Sequence, residues 1–246
     1  MEHGKLRAGC ILLVLACLLC TMGLAGAAPE KTARAPEERN PAFASVTENP
    51  VLPRVLIIGD SISIGYTLDV RKLLEGKANV LRIPVNGGPT TNGMKNLEKW
   101  LGTGKWDVIH FNWGLHDVKH MKDGKTDISG EWQVPADAYK KNLEMLVAKL
   151  KATGARLIWA TTTPVPEGAD GRVKDDEVKA NILAAEVMKA NGVAVDDLYS
   201  SVLPKLKQLQ RPKNVHFTDE GYAFLAKQVS DSILDALKSA PKAKDK

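Results

Sequence analysis

RVLIIGDSISIGY, Arg54 to Tyr66, is a run of branched apolar residues that stops at Gly59, followed by an acid and two hydroxyls and then a helix-forming continuation. An apolar run without polar alternation predicts a strand buried on both faces, as in a parallel sheet covered by helices. Asp60, Ser61 and Ser63 then stand at the carboxyl tip of that strand. Three roles compete for them: a phosphate-cradling turn, a nucleophile turn, or a plain strand-to-helix connection with Ser61 or Ser63 as N-cap. GDSISIG has the spacing of neither dinucleotide-binding nor P-loop glycines, so the phosphate reading fails. It is not G-x-S-x-G either, because Ser63 stands where the second glycine belongs.

Beyond this stretch, strand-like and helix-like segments alternate. NVLRIPV (79–85), KWDVIHFNWG (105–114), ARLIWATTT (155–163) and VAVDDLY (193–199) read as further strands. The helix-like segments between and after them are TLDVRKLLEGK, TTNGMKNLEKWLG, ADAYKKNLEMLVAKLKATG, KDDEVKANILAAEVMKANG, a stretch near 200–209, and Asp219 to about Lys238. Five strands alternating with helices predict an α/β fold with a parallel sheet covered on both faces. Ligands bind such sheets at the carboxyl ends of the strands. Asp60-Ser61, Asn86-Gly87-Gly88, Gly114 to Asp117 and Thr161 to Thr163 fall at those ends and are expected to meet at one rim.

The ends of the chain read differently. Residues 1–28 have Lys5 and Arg7, an apolar run from about Cys10, and small residues ending Ala25-Gly26-Ala27, the layout of a cleaved secretory signal peptide. Secretion or periplasmic location follows as the expectation, with no stable membrane insertion after cleavage. The alternative is an uncleaved anchor, since the run approaches spanning length. All three cysteines lie in this segment, so the chain beyond it has no disulfide, cysteine nucleophile or thiolate metal site. Residues 29–50 are polar and Pro-containing, which predicts a disordered linker, and 239–246 form a basic tail. The net charge of +5 is not gathered into basic patches interleaved with aromatics, which argues against a nucleic-acid partner.

Four blocks, in order along residues 51–238, resemble those of the SGNH hydrolases, the GDSL esterase/lipase family. Gly59-Asp60-Ser61-Ile62-Ser63 matches the first block with Ile for Leu, and Gly88 in NGGPTTNG matches the glycine of the second. Gly114-Leu115-His116-Asp117 matches Gly-x-Asn-Asp with His for Asn, and KNVHFTDEGY supplies the histidine of Asp-x-x-His as His216, with Lys213 where Asp is expected. The resemblance implies a flavodoxin-like three-layer α/β/α sandwich and a serine ester hydrolase with no metal or organic cofactor. Ser61 would be the nucleophile and His216 the base. Ser61 N–H, Gly88 N–H and His116 would form the oxyanion hole, with Asp60 and Asp117 in support.

The chemistry agrees, since an acyl-transferring serine needs a base and N–H donors for the oxyanion. His110, alternating within a strand, reads as a packed structural histidine, and His120, in a polar loop, as solvent-facing. His116 either donates to the oxyanion or packs in its loop. A metal at His116, Asp117 and His120 is disfavoured by the loop-forming residues around them. The orienting carboxylate is missing: Asn214 could hold the His216 tautomer, or Asp196 or Asp197 could substitute, with Lys213 turned outward. Trp113 and Trp132, the latter in a long insertion at 118–135, either stack on a sugar or serve packing. The expected substrate is a small-molecule or carbohydrate ester carrying a short, acetyl-like acyl group. The rivals are a catalytically silent carbohydrate-binding protein and an acyltransferase.

Overall fold

A computed structural model of the chain describes residues 40–238. The signal-peptide reading, most of the linker and the basic tail lie outside these residues.

The central sheet contains β1 (Arg54–Ile58), β2 (Asn79–Arg82), β3 (Val108–Phe111), β7 (Arg156–Ala160) and β8 (Ala194–Asp196). All neighbours are parallel and the order is β2-β1-β3-β7-β8. This is the flavodoxin-like order, with the switch point between β1 and β3. The apolar run that opens the domain explains the layers. Val55 and Ile57 face one core with Tyr66 and Val70 of α1 (Ser61–Leu73) and Leu225, Val229 and Ile233 of α7 (Asp219–Lys238). Leu56 and Ile58 face the other, with α2 (Thr90–Leu101), α3 (Ala136–Ala152) and α4 (Asp176–Asn191). Because successive strand side chains point to opposite faces, a strand with two buried faces must be apolar at every position.

Three features depart from the sequence reading. The 118–135 insertion is a small antiparallel sheet of β4 (His120–Lys122), β5 (Lys125–Thr126) and β6 (Glu131–Trp132) in the order β5-β4-β6. Its β4–β5 hairpin turns at Asp123-Gly124, both with positive φ (51° and 75°), as expected for a two-residue Asp-Gly turn. The linker reading runs too far, because the chain is already tied down from residue 40. Ala42 is buried, the Asn79 amide donates to Asn49 O and Leu52 O (2.8 and 3.1 Å), and Phe43 stacks under the Arg82 guanidinium at 5.1 Å. The helical stretch near 200–209 is broken into α5 (Leu198–Val202), a 3-10 turn at Leu203–Lys205 containing Pro204, and α6 (Leu206–Leu209).

Candidate active site

The strand-to-helix turn after β1 presents Ser61. The N-cap of α1 is neither serine but Asp60, whose Oδ1 accepts from Ile62 N (2.9 Å). Capping by the acid leaves Ser61 Oγ free for another partner. Ser61 N–H, at the first helical position, has no acceptor among the described residues. Ser63 turns inward instead. Its Oγ donates to Asp60 O (2.7 Å) and accepts from Nη2 of the buried Arg82 (2.6 Å). Arg82 also donates to Gly59 O (3.1 Å), and Gly87 N–H donates to the same oxygen (2.9 Å). A Cβ on Gly87 would stand 2.8 Å from Gly59 O, so only glycine fits there. The turn is thus held from below by a cation and a backbone contact that block matching does not reveal.

His216, entering from the loop before α7, meets Ser61 across the rim. Its Nε2 lies 2.8 Å from Ser61 Oγ and its Nδ1 lies 2.7 Å from Asn214 Oδ1. The same Asn214 oxygen accepts the His216 backbone N–H at 3.0 Å. A backbone N–H can only donate, so the atom it meets is the amide oxygen, and an amide oxygen can only accept. Nδ1 therefore carries the ring proton, and the bare Nε2 faces the Ser61 hydroxyl, which donates to it. Burial holds the His216 imidazole below its usual range. Asp60 acts against this, while Arg172 and Arg211 reinforce it. The arrangement is a hydroxyl hydrogen-bonded to a neutral base whose tautomer is set by an amide rather than a carboxylate.

No substitute acid reaches His216 from the fifth central strand. Asp196 accepts from His110 Nε2 (3.0 Å) and Gln228 (2.8 Å), and Asp197 caps α5 through Ser200 N (3.1 Å). His110 is the packed histidine expected. Lys213 is exposed with φ 54° and lies along Gly168.

The candidate oxyanion donors are less uniform than block matching implies. Gly88 has the positive φ (59°) that favours glycine, but its N–H already donates to Asn86 Oδ1 at 3.0 Å. It is therefore not a vacant donor, because an Asx turn engages it. The His116 ring makes no hydrogen bond among the described residues. Burial lowers its pKa, Asp60 raises it, and Arg172, Lys119 and His216 lower it further, which favours the neutral ring. Asp117 is wholly buried, and its Oδ1 accepts both the N–H (2.8 Å) and the hydroxyl of Thr90, at the start of α2. That link ties the His116 loop to the helix following Gly88. Burial pushes the Asp117 carboxyl up to about 7, against the pull of the Thr90 bonds, and its Oδ2 has no partner among the described residues.

One histidine expectation is corrected, and one of the two alternatives for Trp113 is decided. His120 does not face solvent: Nδ1 meets Gly130 O at 2.8 Å and Nε2 meets Asp176 Oδ2 at 2.7 Å. Both acceptors lack a proton to give, which fastens the small sheet to α4 through a ring protonated on both nitrogens. Trp113 cannot stack on a ligand, because it is buried against Phe111 and over Gly93, whose missing Cβ leaves room for the indole. Trp132 is half-buried, donates to Asp176 Oδ2 (2.8 Å), and lines an apolar cleft of about 550 Å³ with Pro135, Ile182 and Leu183. Among the described residues, no three His, Cys, Asp or Glu side chains converge as a metal site. No helix among them is long and apolar enough to cross a membrane.

Arg172 was not singled out by sequence reasoning. It comes from the loop after β7, and its Nε donates to Leu115 O (2.8 Å), inside the His116 loop. No motif marks it; only the fold brings it to the rim.

Comparison with known proteins follows the same lines. An acetyl xylan esterase, AlAXEase, superposes with a TM-score of 0.62 at 19% identity, over 73% of this chain and 99% of the other. The lipase/acylhydrolase of Enterococcus faecalis gives 0.61 at 21% identity, over 78% and 99%. An acetylxylan esterase from Geobacillus stearothermophilus gives 0.62 at 18% identity, over 78% and 97%. At these identities the likeness is one of fold. No match is found among curated proteins. The sequence profile of the GDSL-like lipase/acylhydrolase family, however, matches residues 57–224, from the strand that presents Ser61 into the helix beyond His216. On that match the chain belongs to the GDSL-like lipase/acylhydrolase family, the serine ester hydrolases.

Proposed function

We propose that this chain is an exported esterase that removes a short acyl group, acetyl in the first instance, from a carbohydrate through Ser61 and His216. The observation that carries the reading is the 2.8 Å approach of Ser61 Oγ to an Nε2 left bare by the Asn214 bond. In the first step Ser61 Oγ bonds to the ester carbonyl carbon as its proton passes to His216 Nε2. The tetrahedral oxyanion is met by Ser61 N–H and His116, and Gly88 N–H is shared with Asn86. His216 then returns the proton to the leaving sugar hydroxyl. Water, deprotonated by the same Nε2, releases the acid and restores Ser61. Asn214 is a positioning residue that sets the tautomer but offers the imidazolium no charge. Asp60, whose charge acts on His216, is the carboxylate available for that. The acyl and sugar classes are supported by the acetylxylan esterases among the structural neighbours and by the signal-like leader.

The test uses the chain from residue 29 with an acetyl ester chromogen and an organophosphonate probe. Turnover and labelling at Ser61, both abolished in Ser61→Ala and both falling by roughly 10²–10⁴-fold in His216→Ala, are expected. Lys213 in place of the family's acid favours one rival, a silent carbohydrate-binding protein. Intact folded chain that neither turns over ester nor takes the probe would decide for that rival.

A further inference from the structure

The rim carries more positive charge than the proposed reaction uses. Arg172 is held by two bonds, Nε to Leu115 O (2.8 Å) and Nη1 to Asp170 O (3.1 Å), and both acceptors are neutral carbonyls. Its Nη2 has no partner among the described residues; the charges of Asp60 and Asp170 act on the guanidinium, but neither carboxylate is hydrogen-bonded to it. Lys119 lies beside it, its Cε 3.3 Å from where a Cβ on Gly171 would stand. Arg211 completes the group; its backbone N–H donates to His216 O at 3.0 Å, and its charge acts on the His216 ring. The charge of Arg172 is felt at both His116 and His216, that of Lys119 at His116 and that of Arg211 at His216. The one carboxylate felt at both rings is Asp60, which is buried, caps α1 and already serves the His216 imidazolium.

A half-buried guanidinium with no carboxylate bonded to it leaves part of its fork unmet, which is costly unless something else takes it. Stapling Leu115 O needs one N–H, which a neutral side chain could supply. The rigid fork left over is the geometry that takes a carboxylate. Resting on the esterase reading above, we infer that Arg172 binds a carboxylate on the substrate beside the scissile ester, so that the preferred substrates are acyl esters of acidic sugars such as uronic acids. Lys119 and Arg211 would strengthen the attraction from the flanks, in a manner weakened by salt.

The experiment compares an O-acetylated methyl glucuronoside with the matching O-acetylated methyl glucoside, which has a hydroxymethyl group in place of the carboxylate. The wild-type chain should favour the uronoside in kcat/KM by about 10- to 100-fold, as one charge-assisted hydrogen bond allows. The preference should shrink in 0.5 M salt (roughly a 4 Å screening length). Arg172→Gln should remove it mainly through KM, because the contact is made equally in ground and transition states, and Arg172→Lys should restore part of it. Equal losses on both esters in Arg172→Gln would overturn the proposal and make Arg172 a staple for the His116 loop. So would a wild-type enzyme indifferent to the carboxylate. If neither ester is hydrolysed, the esterase reading fails first, and the sugar preference is then read by calorimetry on the unlabelled chain. Tighter binding of the uronoside that Arg172→Gln abolishes would still uphold the anion site, and equal affinities would overturn it.

Discussion

Asn214→Asp is the substitution that asks most of this site. The wild-type oxygen sits 2.7 Å from His216 Nδ1 and also takes the His216 backbone N–H at 3.0 Å, so an aspartate oxygen in the same place keeps both bonds. What it adds is a negative charge beside the imidazolium that forms when Ser61 gives up its proton. Two unit charges about 4 Å apart at an effective dielectric of about 20 attract by ~4 kcal/mol. Asn214 is exposed, so water and salt remove most of that. We expect the His216 pKa to rise by about 1 unit, equivalent to ~1.4 kcal/mol. A base works when neutral, so rate climbs as pH rises through its pKa. The wild-type acid limb should lie below the usual histidine value of about 6.5, because burial and the two arginines favour the neutral ring. In Asn214→Asp the limb should move up by about 1 pH unit and the plateau should rise roughly tenfold, since the added charge stabilises the transition state by a similar amount. The assay is the pH dependence of kcat/KM on an acetyl ester. A limb that stays in place, or moves to lower pH, would refute the assignment of His216 as the titrating base and of Asn214 as its partner.

Two further substitutions should have opposite effects on Tm, each dependent on pH, because both groups have raised folded pKa values and both native contributions are lost as pH climbs. The folded pKa of Asp117 is raised to about 7, so the native chain holds more protons than the unfolded one between about pH 4 and 7 and loses stability as pH climbs through that window. Asp117→Asn should accordingly raise Tm more at pH 8 than at pH 5, and an equal shift at both would mean that the carboxyl is not buried in charged form. For His120, burial pulls the pKa down but the bonds to Asp176 and Gly130 O, with the Asp176 and Glu131 charges, leave it raised. Its contribution is complete below the unfolded value near 6.5 and is lost as pH rises through the folded pKa, so His120→Gln should lower Tm more at pH 5.5 than at pH 9. A loss that does not depend on pH would show that the ring is not protonated on both nitrogens. A Cβ on Gly65 would stand 2.1 Å from the Tyr222 ring, where α1 meets α7, so Gly65→Ala should cost about 1–3 kcal/mol in denaturant melts. Full recovery of stability in the double variant with Tyr222→Ala is not expected, but a wild-type midpoint in the single variant would contradict the close packing.

Much of the architecture follows from local pattern. The unbroken apolar runs of Val55–Ile58 and Leu157–Ala160 need two buried faces, and only a parallel sheet between helix layers supplies them. The same pattern places Ser61, Gly88 and His116 at strand ends, hence at one rim, while His216 is reached only through the last block, in the loop before the final helix. The small sheet of the insertion is not legible in the sequence: Asp123-Gly124 is a turn dipeptide, but the strands it joins are too short to stand out. What the chain alone could not decide was who pairs with whom. Several candidate partners stood near His216 in motif or strand order, two carboxylates and an amide, and choosing among them depends on side-chain directions over a few ångströms: Asp196 turns to His110, Asp197 to α5, and Asn214 to the ring. The occupied N–H of Gly88, the inward Ser63 on Arg82, and Arg172 arriving from a loop 57 residues beyond Leu115 are likewise products of packing. Hydrophobic periodicity is written into neighbouring residues and survives in the sequence. Hydrogen-bond partnership between residues far apart in the chain exists only once the sheet has brought their loops together.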